Sequence, residues 1–413
     1  MDKIKLPEDV KYILETLNEN GYSSYIVGGC VRDSIMGIEP KDWDITTNAK
    51  PSEVRDIFEE EDILVVPTGE KYGTMTLVID EESYEVTTFR YDCGYVNGRR
   101  PESVRFGNSI KDDLARRDLT INAMCYNELV GIVDLYDGIG DIANKRIRFV
   151  GNAEERIKED ALRILRAVRF SVRFGFDIDV ETLQALRNNV ILLDKISRER
   201  IRQELVQILS YPITEKLYDK IDFIFAYIFN SEKIDRKNNI TNPLIKELVK
   251  RIVVNEQNYQ VKLAKIFNLL FDSLYLVEEW LRENKYSYQE IATILNCIKI
   301  KKIHKQYLSG KLVFTDYEIR KLLSEFPYED LRLYFYDDEE IWGRILKNLQ
   351  GPLTLHELKL DGNDLKFLGY QGKEIGEILD YLLDKVLEEP ELNNKETLLK
   401  LVKERKKEDE TSN

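Results

Sequence analysis

The chain is poor in the residues on which several chemistries depend. Histidine occurs only at His304 and His356, far apart in 413 residues. That spacing argues against histidine-built metal centres, histidine triads and a fused phosphohydrolase, and both rings are expected on the surface. Cysteine occurs at Cys30, Cys93, Cys125 and Cys297, with no Cys-x-x-Cys pair. Neither a zinc site nor a disulfide framework follows from such spacing, which suits a reducing, cytoplasmic compartment. No run of about 18 apolar residues is present, so no membrane span is expected. The opening MDKIKLPEDV holds no signal-peptide apolar segment. Positive charge is in deficit, with a net charge of −14. An acidic total weighs against nucleic acid only weakly, because binding depends on a local basic stripe.

Such a stripe is present. Arg156, Lys158, Arg163, Arg166, Arg169 and Arg173 face only Glu159 and Asp160 between residues 156 and 173, and a second basic run, KIKKIHK, ends at Lys305. The acidic surplus lies in runs such as EEED and DDEE, which read as solvated faces. The length accommodates two or more domains.

The stretch from Ser24 to Thr47, SYIVGGCVRDSIMGIEPKDWDITT, reads as strand, glycine turn, short helix and second strand. Strand side chains alternate, so Asp42 and Asp44 share one face and Trp43 takes the other. Adjacent carboxylates repel unless a cation lies between them. Mg²⁺ takes carboxylate oxygens and leaves room for substrate phosphates. Gly28-Gly29 lets the backbone approach a ligand, and the amides opening the helix suit an anion. Taken singly, a GG pair is a turn and an Asp-x-Asp a solvated strand edge; in this order they describe a metal-plus-triphosphate site.

A helix is expected over residues 7–20, and another starting at Pro51. ILVVP, GTMTLVID and SYEVTTFR read as strands, completing one mixed sheet flanked by helices up to about residue 125. Glu85, on the last strand, is either a third acidic group or an exposed strand residue. Residues 90–105 are Gly-rich, basic and aromatic without periodicity, and read as a mobile loop. KDDLARRDLTINAM (111–124) reads as a helix start. There Arg117 can grip a triphosphate, and Asp118 and Asn122, one turn apart, can hold a ribose hydroxyl; as isolated residues they would form a surface pair. EERIKEDALRILRAVRF (154–170) reads as one strong helix along which Asp160, Arg163, Arg166 and Arg169 recur every third residue. By spacing alone that is an ion-paired solvated helix. From Pro212 onward the patterns are long, amphipathic and helical, without a fixed-period repeat, and the last residues, ERKKEDETSN, are expected to be disordered.

GGCVRD followed by DWDI, with RRDLTINAM, DLYDGIGDI, EDALR and ISRERIRQEL in that order, resembles the five motifs of the class II tRNA nucleotidyltransferases. These are the CCA-adding enzymes and bacterial poly(A) polymerases of the polymerase β-type superfamily. The likeness is specific to about residue 210 and weak from 212 to 350. It implies an α+β architecture: a catalytic head (1–145), a helical neck carrying the nucleotide-selecting helix (146–211), a helical body (212–310) and a helical tail gripping tRNA (311–413). It further implies CMP and AMP transfer from CTP and ATP to the 3′ end of tRNA. Asp42 and Asp44 would hold Mg²⁺, with Glu85 as a third catalytic carboxylate. Gly28, Gly29, Arg32, Arg117, Arg166 and Arg169 would bind the triphosphate, Asp118 and Asn122 the sugar, and the full-length 90–105 loop would favour the complete CCA product. In the fourth motif Asp160 and Arg163 would select the base. An acceptor-only carboxylate and a donor-only guanidinium match the amino group and ring nitrogen shared by cytosine and adenine, and reject guanine and uracil. Other readings are a poly(A) polymerase, a CC- or A-only enzyme, a non-catalytic RNA-binding protein on the same fold, and nucleotidyl transfer to a small molecule.

Overall fold

The computed structural model describes residues 3–96, 100–229 and 242–411. The chain forms two compact units, the first comprising residues 1–257 with 283–285, the second residues 258–282 with 286–413.

The first unit opens with helix α1 (Glu8–Glu19), which buries Val10, Ile13, Leu14 and Leu17 at helical spacing. Strand β1 (Ser24–Val27), helix α2 (Gly29–Ile35), strand β2 (Ile45–Thr47) and helix α3 (Pro51–Glu60) follow. Pro51 begins α3 where a missing N–H costs nothing, and Glu53 accepts the Lys50 amide at 2.7 Å. Strands β3 (Leu64–Gly69), β4 (Thr74–Ile79) and β5 (Glu82–Thr88) match the three β-branched runs. Next come β6 (Arg90–Val96), β7 (Arg100–Phe106), helix α4 (Ile110–Ala115), β8 (Met124–Asn127), β9 (Gly131–Asp134) and helix α5 (Gly138–Ala143).

Seven strands form one mixed sheet in the order β3-β4-β5-β2-β1-β8-β9. Only β2 and β5 run parallel, with Ile45 beside Val86. Helices α1 and α3 cover one face, where Ile26, Ile45, Val54, Phe58, Met75, Leu77, Val86 and Met124 make the principal core. Residues of opposite parity, including Val27 and Cys125, meet Leu114 in a smaller cluster. Strands β8 and β9 extend the sheet beyond residue 125. The segment expected as a mobile loop instead pairs β6 with β7, from Arg90–Phe106 to Val96–Arg100; residues 97–99 lie outside the described part.

Beyond the sheet, β10 (Arg146–Ile147) and β11 (Asp177–Ile178) pair in parallel among helices α6 (Ala153–Glu159), α7 (Arg163–Phe174), α8 (Val180–Asn189) and α9 (Arg198–Leu209). The single helix expected over 154–170 is therefore broken at Asp160, whose backbone is extended (φ −144°, ψ 106°). Its carboxylate accepts the Leu162 amide at 3.0 Å. Aspartate competes with the helix for backbone N–H groups, and here the side chain wins.

The second unit is helical throughout its described residues. One core gathers Phe314, Ile319, Leu331, Phe335 and Ile345, another Leu360, Leu365, Leu382, Val386 and Leu398. His304 is not a surface residue: its ring is half-buried, 5.2 Å from the Phe335 ring and 5.8 Å from that of Tyr334. Among the described residues no helix is long and apolar enough to cross a membrane.

Candidate active site

The site is built where β1 turns into α2. The Val27 amide donates to the Asp44 carbonyl at 2.9 Å, and the Gly28 amide to that of Met124 at 3.0 Å. These two bonds bring the acidic segment and the start of β8 to the glycine turn. Gly28 has φ +80° and ψ −120°, a backbone state that side chains resist. A β-carbon there would lie 2.9 Å from Arg117 Nη1, so the guanidinium rests directly on the glycine. Buried Asp113 orients it, accepting Arg117 Nη2 at 3.0 Å while holding Arg116 at 2.6 Å. Arg117 Nε is buried without a hydrogen-bond partner among the described residues.

Asp42 and Asp44 precede β2 rather than lying on it, because the ladder begins at Ile45. The expected alternation survives: both aspartates are exposed, and Trp43 packs against the principal core. The parallel register that sets Ile45 beside Val86 brings Asp44 level with Glu85, on the face opposite the core. Although solvent reaches Asp44, the surrounding protein mass raises its pKa; Arg117 pulls it down, Asp42 pushes it further up, and the net direction is upward. Glu85 is raised by desolvation and then by the charges of Asp44 and Asp42. Three carboxylates thus repel one another beside one guanidinium.

Among the described residues no three His, Cys, Asp or Glu side chains form a ready metal cage. The paired, mutually repelling carboxylates nevertheless fit a hard cation whose remaining ligands come from a substrate.

Arg32, Asp118 and Asn122 form a buried network beside the turn rather than an open ligand surface. Arg32 is 4% exposed; its Nε donates to Asp33 at 2.8 Å, and Nη1 donates to Asn122. The guanidinium carbon lies 5.2 and 5.0 Å from the Phe170 and Phe174 rings. Asp118 accepts the Leu119 amide at 2.8 Å, Asn122 at 3.4 Å and Arg166 Nε at 2.6 Å. Asp118 and Asn122 meet as expected, but across a turn and a short 3₁₀ segment, since α4 stops at Ala115. Burial works against the Asp118 charge, yet Arg166 and Arg163 outweigh it and hold the carboxyl well below the usual range.

The arginine stripe is turned toward acids instead of lying open as an RNA track. Arg156 and Arg163 both pair with Glu159, Arg166 with Asp118, Arg169 with Glu204 at 2.7 Å, and Arg173 approaches Asp33 at 3.9 Å. Arg163 also donates to the carbonyls of Arg156 and Arg116, at 3.0 and 3.1 Å. Asp160 is gripped by Arg200, which donates from Nη2 at 2.8 Å and from Nη1 at 3.4 Å. Asp113, Glu159, Arg200 and Glu204 were not singled out from sequence. Asp113 and Glu159 precede Arg117 and Arg163 by four residues, a spacing that could have identified them. Arg200 and Glu204 lie in the ISRERIRQEL motif, but no local signal gives the residues they pair with across the helices.

An acidic pair beside a glycine turn on a mixed sheet, with a guanidinium seated on that turn, is an arrangement that a nucleotidyltransferase head can use. The family model for the poly(A) polymerase head domain matches residues 24–148, and that described as a probable RNA and SrmB-binding site of polymerase A matches residues 175–222. A CCA-adding enzyme of Ligilactobacillus salivarius is 34% identical over 96% of this chain and 97% of its own length. One from Staphylococcus aureus is 40% identical over 65% of this chain and 67% of its own. The solved structure of the Bacillus stearothermophilus CCA-adding enzyme in complex with CTP superposes with a TM-score of 0.77 at 28% identity, covering 98% of this chain and 99% of that one. The chain belongs to the CCA-adding enzyme family of tRNA nucleotidyltransferases.

Proposed function

We propose that the chain adds CMP and AMP to the 3′ end of tRNA at the surface formed by Gly28, Asp42, Asp44, Glu85 and Arg117, without a nucleic-acid template. In this reaction the RNA 3′-hydroxyl oxygen bonds to the α-phosphorus as the bond to pyrophosphate breaks. The observation that carries the reading is the meeting of three mutually repelling carboxylates with a glycine-seated guanidinium that keeps a buried, unpartnered N–H.

Asp42 and Asp44 would hold two Mg²⁺ ions, which when bound activate the hydroxyl and neutralise the leaving pyrophosphate. Arg117 and the Gly28-Gly29 backbone bind the triphosphate. Arg32 supports that turn from beneath, Arg166 and Arg169 brace the site from α7 through Asp118 and Glu204, and Glu85 sharpens the negative patch that attracts the cations. Asp118 and Asn122 shape the sugar pocket from the buried side. Asp160 accepts the exocyclic amino group of cytosine or adenine, and Arg163 donates to the adjacent ring nitrogen. Uracil and guanine present the reverse pattern and leave polar groups unpaired. The division into head (1–145), neck (146–211), body (212–310) and tail (311–413) assigns chemistry to the first two and grip on tRNA to the last.

The test is incorporation of labelled CMP into tRNA lacking its terminal nucleotides. Asp42→Ala and Asp44→Ala are expected to abolish it, as is chelation of divalent metal in the wild type. Near-normal turnover in either variant would refute the assignment. Asp160→Ala is expected to narrow the preference for CTP over UTP.

A further inference from the structure

Asp160 is displaced from the helix and held from two directions. The Leu162 amide donates to Oδ1 at 3.0 Å; Arg200, near the start of α9, donates to Oδ1 at 3.4 Å and to Oδ2 at 2.8 Å. Both side chains are largely enclosed, Asp160 at 15% and Arg200 at 21% exposure. One turn further along α9, Glu204 pairs with Arg169 of α7. Two ionic rungs therefore tie α9 to this region, one to α7 through Arg169 and one to the extended residue between α6 and α7, and the latter ends on the carboxylate proposed to read the base.

A carboxylate offers about four acceptor directions. Three donors already occupy most of them, which leaves about one direction for an incoming amino hydrogen. A planar, two-pronged guanidinium also fixes the plane of the group it holds, which a flexible ammonium does not. We infer that Arg200 is a positioning residue for base selection: without touching the nucleotide, it sets the single direction in which Asp160 accepts a hydrogen bond. The inference rests on the base-reading role proposed for Asp160. Rotation of an unclamped carboxylate would misplace the acceptor by a fraction of the ring width, and misplacement of about 1 Å is enough to cost up to about a hundredfold in rate.

The experiment measures kcat/KM for CTP, ATP and UTP on tRNA lacking its end. It uses the full chain and the variants Arg200→Ala, Arg200→Lys, Asp160→Ala and the double variant. Arg200→Ala is expected to lower the CTP and ATP values about tenfold or more and the UTP value far less, so the CTP/UTP ratio contracts. Arg200→Lys should recover part of that ratio. In the Asp160→Ala background, removing Arg200 should leave the ratio unchanged, because its effect passes through the carboxylate. An unchanged ratio in Arg200→Ala, or an equal contraction with and without Asp160, overturns the inference. If Asp160→Ala itself leaves the ratio intact, the base-reading proposal fails first. Should Arg200→Ala not fold, the lysine variant decides: a ratio equal to wild type refutes the need for two-pronged geometry, and a contracted one supports it.

Discussion

Replacing Gly28 by alanine isolates the turn on which the site is built. At φ +80° and ψ −120° an L-residue is strained, at a cost of about 1–3 kcal/mol. The new methyl would also stand 2.9 Å from Arg117 Nη1 and 3.7 Å from the Asn122 carbonyl oxygen. The end of an arginine side chain moves cheaply, so strain dominates the stability loss, while the methyl displaces the guanidinium proposed to grip the triphosphate. Gly29 is the internal comparison. A β-carbon there meets only Arg32 Nη2, at 3.6 Å, an ordinary contact on unstrained backbone. Urea denaturation should show Gly28→Ala destabilised by about 1–3 kcal/mol with unchanged m-value, and Gly29→Ala within about 0.5 kcal/mol of wild type. Steady-state kinetics should show a raised KM for CTP in Gly28→Ala. Equal stability losses in the two variants, or a Gly28→Ala protein matching wild type in both assays, would show that neither backbone strain nor contact with Arg117 governs this turn.

Asp44→Asn should abolish incorporation yet raise the melting temperature in metal-free buffer, since it removes one of three crowded charges; calorimetry with and without Mg²⁺ checks this. Because Asp44 and Glu85 are both raised in the metal-free protein, protons should compete with Mg²⁺ for the site at a higher pH than ordinary carboxylates would allow, as Mg²⁺ titrations at a series of pH values will show. The linked stability has the matching sign. A raised folded-state pKa contributes stability below the unfolded value and loses it as pH rises through the folded one, so the metal-free protein is penalised by this pair at neutral pH. Asp118 has the opposite sign, its lowered pKa contributing stability that disappears as pH falls through the folded value. Asp118→Asn should therefore cost about 2 kcal/mol at neutral pH in urea titrations, less than for a fully buried pair because Arg166 is 35% exposed, and the cost should shrink toward acid.

What could be read from sequence was whatever depends on near neighbours. The outward-facing Asp42 and Asp44 follow from strand alternation, with Trp43 inward; the glycine turn follows from composition, and the sheet as far as β5 from β-branched runs. Strands β8 and β9 were hidden because short apolar runs such as INAMCY do not distinguish helix from strand. The β6–β7 pairing was hidden by the glycines, proline and charges of this segment, although Tyr91, Cys93 and Tyr95 on β6 and Val104 and Phe106 on β7 do alternate with polar residues or glycine. The break at Asp160 depends on a side chain outcompeting the helix. The largest gap concerned the arginines. Periodicity set their rows on α7, but Asp118 and Glu204, which pair with Arg166 and Arg169, and Arg200, which pairs with Asp160, stand 35 to 48 residues from their partners and meet them through packing that no local pattern encodes. The ion-paired reading of residues 154–170 and the functional one therefore concern the same residues, since Asp160, Arg163, Arg166 and Arg169 are all held in ion pairs.

The protein alone is expected to choose the bases and to stop after three. One primer-extension experiment tests it most directly, using tRNA lacking its terminal nucleotides with CTP, ATP, UTP and GTP singly and with CTP plus ATP. The expected result is growth by two residues with CTP, by a third only when ATP is also present, and essentially none with UTP or GTP. A lengthening adenylate tail with ATP alone, or comparable use of UTP, would contradict it.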